Sequence, residues 1–200
     1  MKNTYTLRDK RELIVRNLTM DDVKLSHEFF LSLSEEERRY LRSDVADIKH
    51  VKKRIKATQS GIIIRRIAII GKDVVGDASL EISTEEWKGG TGYLRLLIPK
   101  AYRDSDVGAV LVSDLYEVAK ERQLKHIITK LMRPQKEVIE MYEQLGFRIE
   151  GILPDYLVDQ AGEEQDMVVL ICGLEDLQKV HEFVGNWIDG DLGSVGAGEM

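Results

Sequence analysis

Hydrophobic positions switch between alternating and helical spacing along the chain, and the switches divide it into strands and helices. Residues 12–18 alternate Leu13 and Val15 against Ile14 and Arg16, which predicts an opening strand. Thr19 and Asp22 then make a T-x-x-D start signal, with Val23, Ser26, Phe30 and Leu33 on one helical face. A second box from Ser34 to Glu37 leads into Arg38, Arg39, Tyr40 and Leu41, and Asp47 can cap a third helix with Ile48, Val51 and Ile55 on its apolar side. Residues 62–70 and 74–82 are apolar runs flanking Gly71-Lys72-Asp73, a three-residue connection that predicts a hairpin.

The chain is organised around residues 91–123. An apolar run at 93–98, broken only by Arg95, reads as a strand, and Pro99 closes it because proline cannot donate to a sheet ladder. From Val107 the apolar positions Val107, Val110, Leu111, Leu115, Val118 and Ala119 follow helical spacing. Asp114, Glu117, Lys120, Glu121 and Arg122 fall mostly on the other side, as on a helix with one solvent face. Asp104 and Asp106 can cap that helix. A strand at 125–132 follows, then a helix at 135–145 with Gly146 as its C-cap, and two strands at 147–158 and 165–172 around a polar turn at Ala161-Gly162. The layout is mixed α/β, a central mixed sheet of about seven strands flanked by helices. Residues 1–173 are expected as one domain, 174–188 as a C-terminal helical extension with Leu177, Val180, Val184, Trp187 and Ile188 on one side, and 189–200 as a disordered tail.

Composition narrows the function. Two hundred residues at 43% hydrophobic content suit one core, and a net charge of -6 argues against a general nucleic-acid or anionic-membrane binder. The basic run Lys49, His50, Lys52, Lys53, Arg54 and Lys56 is the sharpest local charge feature; a solvated helix face is its default reading, and contact with a ligand phosphate or an acidic partner is the alternative. Cys172 is the one cysteine and sits in an apolar run, so no internal disulfide forms and no metal cluster is read from it. With no apolar leader at the N-terminus and no spanning run, a cytoplasmic location is expected.

Two motifs carry a family resemblance. The loop from Arg103 to Gly108 resembles the pattern Q/R-x-x-G-x-G/A of the GNAT superfamily of N-acetyltransferases, with Asp106 in place of the middle glycine. Residues 142–147, Y-E-Q-L-G-F, match that family's helix-to-strand motif at a suitable separation. More weakly, residues 29–42 resemble the first helices of bacterial protein-lysine acetyltransferases.

This resemblance implies a GNAT fold and direct transfer of acetyl from acetyl-CoA to an amine on a protein lysine or small molecule, with a homodimer as a candidate assembly. It places the pantetheine arm along Leu96, Leu97 and Ile98, and the pyrophosphate on Arg103 and the amides of Val107, Gly108 and Ala109. Tyr142 matches the position of the acid that protonates the leaving thiolate. The glutamate base of the lysine enzymes falls on Tyr93, so Glu81 on the preceding strand becomes the candidate base. The family's asparagine, seven residues before the tyrosine, is replaced by Gln135, which can keep an amide hydrogen bond. Asp106 adds bulk and negative charge where a phosphate would lie, which leaves open an impaired module that senses CoA or binds a partner protein.

Overall fold

All seven expected strands form, in a computed structural model that describes residues 2–190. They are β2 (Glu12–Asn17), β3 (Ile63–Ile70), β4 (Asp73–Ile82), β5 (Thr91–Leu97), β6 (His126–Met132), β7 (Arg148–Val158) and β8 (Glu164–Gly173). An eighth, β1 (Lys2–Thr6), pairs with β2 at the edge. The expectation of about seven strands missed it because K-N-T-Y-T has no apolar alternation. Its inward positions are instead polar, with the Asn3 amide donating to Asp114 Oδ1 at 2.8 Å and the Tyr5 hydroxyl to the same oxygen at 3.3 Å.

The sheet runs β1-β2-β3-β4-β5-β6-β8-β7. Every neighbouring pair is antiparallel except β5 and β6, which are parallel because a helix, α4 (Val107–Glu121), crosses between them. The β3–β4 hairpin is tighter than expected. Asp73 already pairs with Ile70, so the loop is only Gly71-Lys72, with Gly71 at φ +62° where a side chain would be strained.

Two cores form, one on each face. Helices α1 (Val23–Ser32) and α3 (Ile48–Ala57) cover one face over Phe29, Phe30, Val51, Ile55 and Ile67, with the short α2 (Glu35–Arg39) between them. Helices α4, α5 (Lys136–Gln144) and α6 (Leu174–Gly190) cover the other. The adjacent Arg65 and Arg66 show the alternation directly. Arg65 points to the α3 side and meets Asp77 Oδ1 at 2.6 Å, while Arg66 points to the α4 side and meets Asp114 Oδ2 at 2.6 Å.

Asp114 therefore does not lie on a solvent face of α4; it is 6% exposed. The helix is buried nearly all round because α6 packs over its outer side through Leu177 and Val184. His181 of α6 bridges Ser113 Oγ at 2.9 Å and Glu117 Oε1 at 3.1 Å on α4. Helix α6 runs to Gly190, two residues past the expected end of the helix at 188. Residues 191–200, and the side chains of Trp187 and Ile188, lie outside the described residues. Among the described residues, no helix is long and apolar enough to cross a membrane.

Candidate functional site

The parallel ladder at the centre of the sheet is short. Thr91, Gly92 and Tyr93 of β5 pair with His126, Ile127 and Ile128 of β6, and no pairing between the two strands continues beyond them. The second half of β5 keeps its β4 partners and the second half of β6 keeps its β8 partners, so a wedge opens between. Leu96, Leu97 and Ile98 line one wall of the resulting cleft and Thr129, Lys130 and Leu131 the other, around a cavity of about 780 Å³.

Tyr142 closes the bottom of the wedge. It comes from α5, is fully buried, and packs edge-on against Phe147 with ring centroids 5.1 Å apart. Its hydroxyl oxygen accepts the Leu96 N–H at 2.8 Å, an amide that the diverging β6 leaves without a ladder partner. Burial pushes the phenol up to about 12, against the opposing effect of hydrogen bonds from Thr129 and Leu96, so its proton is held at neutral pH.

The cleft lining carries nine lysines and arginines against four carboxylates, in a chain whose net charge is -6. Part of this excess comes from α3. Lys49, Lys52 and Lys56 are not on the lining, in keeping with a solvated face, whereas His50, Lys53 and Arg54 turn into the cleft. Arg54 lies over the Phe30 ring at 4.5 Å and reaches Asp77 Oδ1 at 3.3 Å.

Arg103 is on the wall but fully engaged. It donates to the Ile98 carbonyl at 3.2 Å, to Glu137 at 2.8 Å and to Glu37 at 3.3 Å. Glu37 also accepts the Lys100 N–H at 2.8 Å, and Glu137 accepts Lys100 Nζ at 2.8 Å. Burial pushes the Glu37 carboxyl upward, but donors from Ser34, Lys100 and Arg103 together hold it below its ordinary range. Lys100 and Arg103 hold Glu137 down likewise.

Asp106 sits at the N-cap position of α4, but its side chain does not cap the helix. Its carboxylate accepts the Arg8 N–H at 3.0 Å and Arg8 Nε at 2.7 Å, so its charge is spent on the loop after β1. The acids beside the basic end of the cleft are Glu37 and Glu137 instead.

Of the residues expected at the site, Leu96, Leu97, Ile98, Arg103, Gln135 and Tyr142 line one cavity. Gln135 uses its side-chain oxygen on the Met132 N–H at 2.9 Å, capping the end of β6. Val107, Gly108 and Ala109 are not on the lining. Val107 is buried, and a side chain at Gly108 would come within 3.2 Å of Ile98. Glu81 is also off the lining, and it accepts from Arg95 at 3.1 Å.

Sequence reasoning missed Arg42, Arg65 and Asp77. Asp77 lies four residues before Glu81 on the same face of β4, with Oδ1 shared by Arg54 and Arg65. Its Oδ2, like Arg65 Nε, is buried without a partner among the described residues. The available signal was the Arg-Arg pair inside an otherwise apolar strand, because a buried arginine demands a buried acid.

Residues 25–147 match the model of the acetyltransferase (GNAT) family. No curated protein sequence matches the chain. Among solved structures, Mycobacterium smegmatis RimJ in complex with CoA-disulfide is 14% identical and superposes at a TM-score of 0.75, covering 94% of this chain and 94% of that one. Ribosomal-protein-S5-alanine acetyltransferase from Vibrio fischeri is 15% identical at a TM-score of 0.70, covering 82% and 94%. The GNAT domain of S. lividans PAT is 18% identical at 0.70, covering 86% and 96%.

Proposed function

Because the chain belongs to the acetyltransferase (GNAT) family, we propose that it is an N-acetyltransferase moving an acetyl group from acetyl-CoA directly to a primary amine of a protein or small molecule. The observation that carries this reading is the Tyr142 hydroxyl seated on the Leu96 amide at the closed end of the β5–β6 wedge. A cavity of about 780 Å³ with a cationic lining suits a long polyanionic donor. Acetyl-CoA supplies the acetyl group as a thioester, whose cleavage leaves a thiolate in need of a proton.

Tyr142 is the proton source in this reading. The Leu96 N–H occupies one lone pair of its oxygen, and its own O–H is left to be given away. Leu96, Leu97 and Ile98 form the wall for the pantetheine arm. Lys100, Arg103 and Lys136 line the end suited to the diphosphate, with the start of α4 at Val107, Gly108 and Ala109 next in the chain. The amine must lose a proton before it attacks. Asp77, which lines the cleft, is the candidate to receive it in place of Glu81, which is paired with Arg95 off the lining.

Direct transfer also fits the placement of the one thiol. Cys172 is buried in β8 outside the cleft, and burial pushes it up to about 12, so no nucleophilic thiolate faces the wedge. A lone reduced cysteine suits a cytoplasmic setting.

The double clamp of Glu37 and Glu137 on Arg103 favours a second reading, a module that binds CoA weakly and senses it. Thiol release from acetyl-CoA across an amine panel, alongside calorimetric titration of acetyl-CoA, separates the two. Binding without turnover on any amine selects the sensor, and absence of binding at millimolar donor removes both readings.

A further inference from the structure

On the α3 side of the cleft, guanidinium groups converge from three separate elements. Arg42 comes from the segment after α2, Arg54 from α3 and Arg95 from β5, and all three line the cleft. They are close enough that Arg95 acts electrostatically on both of the others, and Arg42 and Arg95 both act on Tyr142. The cluster therefore sits beside the position where Tyr142 would release its proton.

The cluster is short of anions. Asp77 Oδ1 already serves Arg65 and Arg54, and Glu81 serves Arg95 from outside the lining. Arg42 reaches only the Lys130 carbonyl, at 3.5 Å, and no carboxylate lies within ion-pair distance of it among the described residues. Guanidinium groups stay charged at any physiological pH, so crowding them costs stability until an anion arrives. Burial and the neighbouring Arg65 and Arg95 together outweigh Asp77 and lower Arg54 to about 10; burial and Arg95 lower Arg42 too.

We propose that the acceptor is a small amine that also bears an anionic group, a carboxylate or a phosphate, and that Arg42, Arg54 and Arg95 receive this group while the amine faces Asp77 and Tyr142. The planar guanidinium fork suits both anions. A polyamine or a lysine within a basic segment would meet like charge at the same place. This identification rests on the transferase reading of the same cleft, but the anion site is testable without turnover.

The test compares β-alanine, phosphoethanolamine, uncharged ethanolamine and the diamine ethylenediamine, by thiol release from acetyl-CoA and by direct calorimetric titration. The anionic amines should be used at least tenfold more efficiently than the other two, with β-alanine against phosphoethanolamine separating carboxylate from phosphate. Arg42→Gln and Arg95→Gln should raise KM for the anionic amine by about tenfold each, the scale of one charge-assisted bond. KM for acetyl-CoA should stay within about twofold in the same variants. Equal or better use of ethanolamine or ethylenediamine overturns the anionic acceptor while leaving the transferase standing, as does a loss of acetyl-CoA affinity in place of acceptor affinity. If none of the four amines is turned over, titration decides alone: heat with an anionic amine that vanishes in the arginine variants supports the anion site, and no heat with either anionic amine overturns it.

Discussion

The hydroxyl oxygen of Tyr142 accepts the backbone N–H of Leu96 at 2.8 Å, across the gap where β6 leaves β5. One side chain thus satisfies an amide that the sheet has abandoned and sets a phenolic proton in the wedge. Structure and proposed chemistry are coupled at that atom.

Replacing Tyr142 with Phe separates the two roles. Turnover should fall by roughly a hundredfold, the lower end for loss of a positioned acid. The Leu96 amide is also orphaned, which should cost about 1–3 kcal/mol of stability. Thiol-release kinetics and thermal melting read the two effects separately. Undiminished turnover with a lowered Tm would leave the phenol a packing residue.

Alkaline unfolding should have a defined window. The Tyr142 phenol is raised from 10.0 to about 12 by burial, so the folded state keeps its proton where the unfolded state loses it. Its contribution is fully present below pH 10 and declines as pH rises through 12, amounting to about 3 kcal/mol when complete. Cys172, raised from 9.0 to about 12 chiefly by burial, adds a decline that begins lower. Tm should hold to about pH 9 and fall above it, with Cys172→Ala flattening the first part of the slope. A Tm insensitive to pH over that range in the wild type contradicts the burial of both groups.

Acid should loosen the turn between β7 and β8. Burial alone would raise Asp159, but Arg39, the amides of Glu163 and Ala161, and Gln165 outweigh it and hold the carboxyl at about 2. A lowered folded value stabilises above the unfolded value of 3.8, and this is lost as pH falls through 2. Asp159→Asn should lower Tm at neutral pH and reduce its dependence on pH between those limits. Hydrogen exchange at residues 159–163 locates the effect, and unchanged protection there would contradict it.

The acid clamp on Arg103 predicts a gain of function. Glu137→Gln removes an exposed carboxylate from Lys100 and Arg103. Acetyl-CoA affinity should rise by roughly two- to fivefold at low salt, the scale of surface pairs, and the gain should shrink as salt is added. Unchanged affinity means that Arg103 does not meet the donor.

Asp106 should behave as a structural residue. Asp106→Asn weakens its ion pair with Arg8 and should cost about 1–2 kcal/mol, with acetyl-CoA affinity changed by less than about threefold. A large change in affinity with no change in Tm would put its charge back at the phosphate end.

The reading of elements from sequence succeeded wherever the deciding interactions were local. Alternation and breakers located seven strands, and Gly146 ends α5 at φ +85°, a conformation that suits glycine. The Y-E-Q-L-G-F run placed Tyr142 at a helix-to-strand junction because all its constraints lie within one turn and one strand start. Failures came where a partner lies far along the chain. β1 was missed because its inward groups are justified only by Asp114, more than a hundred residues away, and Asp106 was misread because Arg8 is as remote. Asp77 was not singled out because it shares its strand periodicity with Glu81, and only the packing of α3 on the sheet brings Arg54 and Arg65 to it.

The sequence by itself determined seven of the eight strands, the helices between them, and the family motifs at residues 103–108 and 142–147. Tertiary structure alone decided where the β5–β6 ladder stops, which acids hold Arg103, and which arginines gather beside Tyr142. Periodicity is a property of neighbours a few residues apart, whereas charge pairing and cleft shape depend on which distant segments the sheet order brings together.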